Sequence, residues 1–198
     1  MTEVSIINLA LARIGHTQFI SDRTESSAEA SLANEIFDTV RDELLTAYPW
    51  SFAMRRAALA EIDEETYTPP DEWGYAYGLP ESCLRALRIQ NGKVDRPSEK
   101  IEFVIESYDG GKALLCDDDA PTLVYIRKEP DVSQWTAAFG SALAWKLAAE
   151  FASGLKKDTR LADYCAQRAS TATHEAAALD ARQRHTIPLS SDIEAARA

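Results

Sequence analysis

One stretch of this chain carries two helical rows at once, and it limits what the rest can do. Trp135, Phe139, Leu143, Leu147, Phe151 and Leu155 recur every four residues, and Gly140, Ala144, Ala148 and Ala152 form a second row of small side chains. The spacing predicts a helix, capped by Ser133, that is apolar or smooth over much of its circumference. Such a helix packs closely on more than one side, so other elements, from this chain or a neighbour, must surround it. The chain has 198 residues, 45% of them hydrophobic, which is enough for one domain with its own core and no need of disulfides or metals.

Residues 1–60 read as N-terminal helices. Ile6, Leu9, Ala10 and Ile14 share one helical face, and Gly15 is a natural stop. Ser26 and Glu29 have capping-box spacing, and Leu32, Ile36, Val40 and Leu44 follow at intervals of four. Pro49 ends or bends that second helix, and Trp50 and Phe52 are placed to pin the corner into the core.

Residues 61–131 lose the helical period. Glu61 to Pro70 reads as an acidic loop. Leu84 to Gln90 alternates, with Leu84, Ala86 and Arg88 against Arg85, Leu87 and Ile89, and runs into Asn91-Gly92, a hairpin signal. Ile101 to Glu106, with Ile101, Phe103 and Ile105 on one face, Ala113 to Cys116 and Thr122 to Lys128 supply further strands around the turns Asp109-Gly110-Gly111 and Asp117-Asp118-Asp119. The expectation is one small antiparallel sheet inserted between helices.

Helix returns over 132–184 as two long helices. The second, from about Thr159 to Arg184, would be about 39 Å long. Its inward face is thin: Leu161, Tyr164, Cys165, Ala169, Ala172, Ala176 and Leu179. Residues 185–198 read as a C-terminal tail, broken by Pro188, whose large apolar groups are Ile187, Leu189 and Ile193. The fold class is therefore α+β, a single domain over 1–198 made mainly of a helical bundle, with the sheet between its N-terminal and C-terminal helices.

Charge separates the same segments. Net charge is −11, from 32 acids and 21 bases. Residues 61–131 hold 17 acids against 8 bases, whereas 132–198 hold 7 against 8. An acidic chain lacks the basic face of a nucleic-acid groove binder and of an adsorber to anionic membranes. No apolar run approaches the about 20 residues of a membrane span. Met1-Thr2-Glu3 lacks the basic start of a signal peptide, and three widely spaced cysteines, Cys83, Cys116 and Cys165, fit reduced thiols in a protein made in the cytoplasm.

Catalytic constellations are not legible. His16, His174 and His185 have no metal-type partner at helical spacing, and there is no Cys-x-x-Cys. Cys83 has no histidine near it in sequence and reads as a small buried thiol. Asp117-Asp118-Asp119 departs from the EF-hand order and reads as an exposed acidic turn; as paired acids, Asp117 and Asp119 are the one opening for a hydrolase. No catalytic, cofactor-binding or metal residues are assigned. Trp73, Tyr75 and Tyr77 form an aromatic passage. It reads either as a seam between sheet and helices or as an interface anchor, where aromatics are enriched.

Together, Ile6-Ile7-Asn8, Ala10-Leu11, Ile14-Gly15, Ile20-Ser21-Asp22, Phe37-Asp38, Arg41-Asp42, Pro49-Trp50-Ser51-Phe52-Ala53, Arg56-Ala57, Leu59-Ala60, Tyr75-Ala76-Tyr77, Leu79-Pro80 and Cys83-Leu84-Arg85 resemble the phage and prophage tail tubular protein A group, the head–tail adaptor or gatekeeper proteins. The likeness spans residues 4–89, and Pro49 to Ala53 is its most specific part.

The resemblance implies a virion structural protein and no enzyme. Such a subunit, made in the host cytoplasm, sits at the head–tail interface of a bacteriophage. It forms a ring of about twelve copies under the portal protein, contacts the tail nozzle or other tail proteins, and surrounds a channel through which genomic DNA passes without specific binding. It implies a helical bundle with a β-rich part facing the tail, no cofactor and no membrane. Ile187, Leu189 and Ile193 are then expected to dock on assembly against the portal or a neighbouring adaptor, with Trp73, Tyr75 and Tyr77 as further interface candidates. A tail-associated hydrolase using Asp117 and Asp119 is the alternative.

Overall fold

The computed structural model describes residues 1–90, 101–129 and 131–183. The Asn91-Gly92 turn, His185, and the tail residues Ile187, Pro188, Leu189 and Ile193 lie outside the described residues.

Helix α1 (Glu3–Arg13) opens with a reciprocal cap: the Thr2 hydroxyl accepts the Ser5 N–H at 3.1 Å, and the Ser5 hydroxyl accepts the Thr2 N–H at 2.9 Å. It buries Ile6, Ile7, Ala10 and Leu11. Leu9, expected on that face, is 40% exposed, because the buried stripe runs through adjacent pairs and leaves position 9 on its flank. Gly15 stops the helix with φ +65°, a left-handed conformation that costs glycine little. Helix α2 (Ala28–Ala47) is capped by Ser27, whose side chain accepts the Ala30 N–H, and not by Ser26. Glu29 is thereby released from the expected capping box and pairs with His16 at 2.7 Å. The row Ala30, Ala33, Phe37, Leu44 and Leu45 is fully buried, while Leu32 and Ile36 pack at the edge of the core.

Helix α3 (Ala137–Phe151) is the central rod. Thr136 caps it; Ser133 lies in a short 3-10 turn, Val132–Gln134. Both expected rows exist, and both are covered by this chain, since α1, α2 and helix α4 (Thr159–Gln183) all pack on α3. A side chain at Gly140 would run into Met1 and come within 3.8 Å of Ile6 Cδ1, so the small row is where α1 approaches. The sequence left open that a neighbouring subunit fills that side; among the described residues, the chain's own helices fill it. The rod ends in a π turn, Ala152–Lys156, closed by Lys157 at φ 53°. Helix α4 has 25 residues, about 37 Å. It buries Cys165, Ala169, Ala176 and Asp180, whereas Tyr164 and Leu179, expected inward, are 53% and 48% exposed. Four buried positions over seven turns leave most of α4 in solvent.

The strands form two sheets, where the sequence reading had one. Strands β1 (Met54–Ala58), β6 (Thr122–Arg127) and β3 (Cys83–Gln90) make the first, with β6 in the middle. Strands β2 (Tyr75–Gly78), β5 (Gly111–Cys116) and β4 (Val104–Tyr108) make the second, with β5 in the middle. All pairings are antiparallel. Among the described residues β3 and β4 belong to different sheets and do not pair with each other. Strand β1 corrects the helical reading of residues 1–60: its sequence, Met-Arg-Arg-Ala-Ala, carries no strand signal, and pairing with the apolar β6 imposes the extended form.

Strand β3 also departs from simple alternation. Register shifts between Cys83 and Arg85 and between Ala86 and Arg88 insert extra residues. Cys83, Ala86 and Ile89 consequently face the second sheet, and Leu84 and Leu87 face the helices. Ile105, expected inward with Ile101 and Phe103, is 40% exposed.

The layers follow from these faces. Ile126 of β6 joins the helical core, while Leu123 and Tyr125 meet Tyr77, Leu114 and Cys116 of the second sheet. The far side of that sheet, Ala76, Ala113 and Leu115, is covered by Ile62, Tyr67 and Trp73 from the acidic connection. Helices, sheet, sheet and loop are thus stacked in that order.

Candidate functional site

The Pro49 corner is a junction of the whole fold. Trp50 is fully buried, and its Nε1–H donates to the Leu44 carbonyl at 2.8 Å, closing the end of α2. Around it lie Tyr48 and Phe139 at ring separations of 5.1 Å, and Phe52 at 6.2 Å. Ser51 donates through its N–H and its hydroxyl to the buried carboxylate of Asp180, tying the far end of α4 to the corner. Ala53 accepts the Arg127 N–H at 2.9 Å, which launches the first sheet. The sequence expectation that aromatics pin this corner is met. The Asp180 partner was not legible, because it is 129 residues away.

Beside the corner sits a buried carboxylate that the sequence reading passed over. Glu129 is fully buried and accepts Arg55 Nη2 at 2.8 Å and Arg127 Nη2 at 2.7 Å. Arg55 pairs with Tyr125 across the sheet, so Arg127 is its diagonal same-face neighbour. Trp135 Nε1 donates to the Glu129 carbonyl at 3.2 Å. The arrangement ties β1 and β6 to the segment that leads into α3.

The aromatic passage and the acidic turn come together. The Gly74 N–H donates to Asp117 Oδ1 at 2.9 Å, and the Tyr77 hydroxyl donates to the Asp118 carbonyl at 2.8 Å. Asp118 Oδ1 accepts the Ala120 N–H at 3.1 Å. Two of the three carboxylates therefore hold the turn itself, and Asp119 is exposed. Among the described residues no group of three His, Cys, Asp or Glu side chains is placed to hold a metal ion.

The three aromatics do not make one patch. Tyr77 is 2% exposed and lies between the sheets with half-buried Tyr75, its ring neighbour at 6.1 Å. Trp73 packs under the acidic connection on the opposite face. The seam is thus between two sheets, and not between sheet and helices. Burial pushes the Tyr77 hydroxyl far above the ordinary tyrosine range.

The remaining nucleophile candidates are quiet. Burial pushes all three thiols up, Cys83, Cys116 and Cys165, so each is held in its thiol form near neutrality. His174 lines a groove of about 380 Å³ between α2, α3 and α4. There Lys146 is paired with Glu43 at 3.2 Å, and the Thr173 hydroxyl is bonded to the Ala169 carbonyl. His16 is the partner of Glu29.

One cluster escaped the sequence reading altogether. The guanidinium groups of Arg13 and Arg168 lie over the Trp145 ring, 4.1 and 5.5 Å from its centre, and Tyr164 meets the same ring edge-on at 6.2 Å. Tyr164 and Arg168 are four residues apart, a spacing that places them side by side on a helix. That spacing was the available signal. Contributions from α1 and α3 cannot be seen before folding.

Among the described residues no helix is long and apolar enough to cross a membrane. No protein-family model and no curated protein matches the chain.

Proposed function

We propose that this chain is a head–tail connector subunit of a phage virion, forming a ring of about twelve copies beneath the portal. The observation that carries the reading is the Pro49–Ala53 corner. It is the most specific part of the likeness to the tail tubular protein A group, and it joins α2, α3, α4 and the first sheet in one place. A motif that organises the entire fold accounts for its own residues without any chemistry. In this reading the helices form the bundle under the portal, and the sheets face the nozzle or other tail proteins.

Two further features support it. Asp117 and Asp118 of the acidic turn are bonded within the fold, and the Cys116 and Cys165 thiols are buried. The net charge of −11, multiplied around a ring, gives a wall of order −130 that repels a passing duplex. The tail residues Ile187, Leu189 and Ile193 dock against the portal or the next subunit on assembly. The two-row helix α3 lends no support, since α1, α2 and α4 cover it.

Deleting the coding sequence in the phage tests the reading. Particles should package DNA into heads yet carry no tail, and supplied protein should restore tails. Tailed, infectious particles from the deletion would overturn it.

A further inference from the structure

Net charge in this chain is strongly negative, yet two of the arginines that lack a described carboxylate partner gather on a single ring. Among the described residues neither Arg13 nor Arg168 makes an ion pair. Arg13 donates to the Ser141 carbonyl at 2.7 Å and to the Ser141 hydroxyl at 2.8 Å, which fixes its plane over Trp145. Arg168 is exposed over the same ring and has no described hydrogen bond, and Tyr164 beside it is 53% exposed. Two like charges gathered on one indole repel each other. Consistent with that, burial first and the Arg168 charge second hold the Arg13 guanidinium below its ordinary value. Exposed Tyr164 and Arg168 beside a half-buried Trp145 also have the composition of an interface anchor.

The opposite sign is stored elsewhere in the same chain. The connection between β1 and β2 carries Glu61, Asp63, Glu64, Glu65, Asp71 and Glu72, all exposed, with no Lys or Arg among residues 59–74. None of the six makes a described ion pair. We propose that the Arg13–Trp145–Arg168 cluster is a carboxylate-binding site that receives the acidic 61–72 segment of a second copy of this chain. It rests on the ring reading for its partner and names the contact. Different patches of the two copies meet, so the interface is head-to-tail, the type that closes into rings. The guanidinium of Arg168 takes the carboxylate through paired N–H donors, and the Tyr164 ring flanks it. Phosphate is the other anion such a cluster could take, but two arginines within a chain of net charge −11 do not make a basic groove.

The test uses the full chain alone, so it is independent of the portal. Sedimentation at low and high salt measures self-association of wild type, Arg168→Glu, the double reversal Glu64→Arg with Glu65→Arg, and all three changes combined. Wild type should associate, and salt should weaken it. Arg168→Glu and the loop reversal should each weaken association about tenfold or more, and the combined variant should recover most of the loss. Arg168 is exposed, and unchanged circular dichroism and melting should show that the fold persists. Wild type that stays monomeric, association indifferent to Arg168→Glu, or no recovery in the combined variant would each overturn the proposal. So would duplex DNA binding that is lost in Arg168→Glu. Should self-association follow the pattern while the chain ignores portal, the contact stands and the connector reading fails.

Discussion

At Trp50, a single side chain does two separable things. Its ring fills the space between Tyr48, Phe52 and Phe139, and its N–H ends α2 at the Leu44 carbonyl. Trp50→Phe keeps most of the ring and leaves a buried carbonyl unbonded, so it should cost about 1–3 kcal/mol. Trp50→Ala adds a cavity, and about 3–5 kcal/mol is expected. Urea unfolding of the two variants checks the difference. Glu129 is the second such residue. Glu129→Ala leaves Arg55 and Arg127 facing each other without their shared carboxylate. The arginine side chains are 34% and 35% exposed, so water screens part of the loss. A destabilisation of about 2–3 kcal/mol is expected, below the ~3–5 of a fully buried pair. A melting temperature equal to wild type would contradict the clamp.

Elements differ in how far their residues announce them. The rows of α1, α2 and α3 were legible because helical period and burial coincide, and Gly15 stops α1 as its place in the sequence indicates. Strand β1 was not, because Met54-Arg55-Arg56-Ala57-Ala58 is extended only through its partner β6. The two bulges of β3 likewise depend on β6, so alternation alone assigned Leu84 and Ala86 to one face when they lie on two. The carboxylate clamp and the Trp145 cluster were illegible for a related reason: their members come from separate elements. Gly140 shows how the helical rows translate into stability. The group a new methyl would meet is the flexible end of Met1, which is 56% exposed. Gly140→Ala should therefore leave stability unchanged or raise it by up to about 1 kcal/mol through helix propensity. A large loss would mean that α1 cannot yield.

The junction of α1 and α2 gives a pH dependence. The Glu29 carboxyl is held below the ordinary glutamate range by a backbone N–H at the helix start and then by His16. A carboxylate with a depressed pKa in the folded state stabilises above its unfolded pKa, and this is lost as pH falls through the folded value. Stability between neutral pH and the acid range should thus fall less steeply in Glu29→Gln than in wild type. Parallel acid denaturation curves for the two proteins would contradict this.

Across the whole molecule, charge and layering run in the same direction. Helices with a near-neutral final third lie at one end of the stack, and the sheets and acidic connection lie at the other. A subunit polarised in this way suits a head-to-tail contact between copies. A single contact of this kind holds copies together weakly, so self-association of the chain alone should be weak and should tighten on a portal template that fixes the copies side by side. The mass of the portal complex measures this directly. Native mass spectrometry of portal mixed with excess chain should show one dominant species, with about twelve added subunits of 21.9 kDa and few partly filled rings. A portal whose mass does not change, or one that takes up copies in a random distribution, would contradict the connector account.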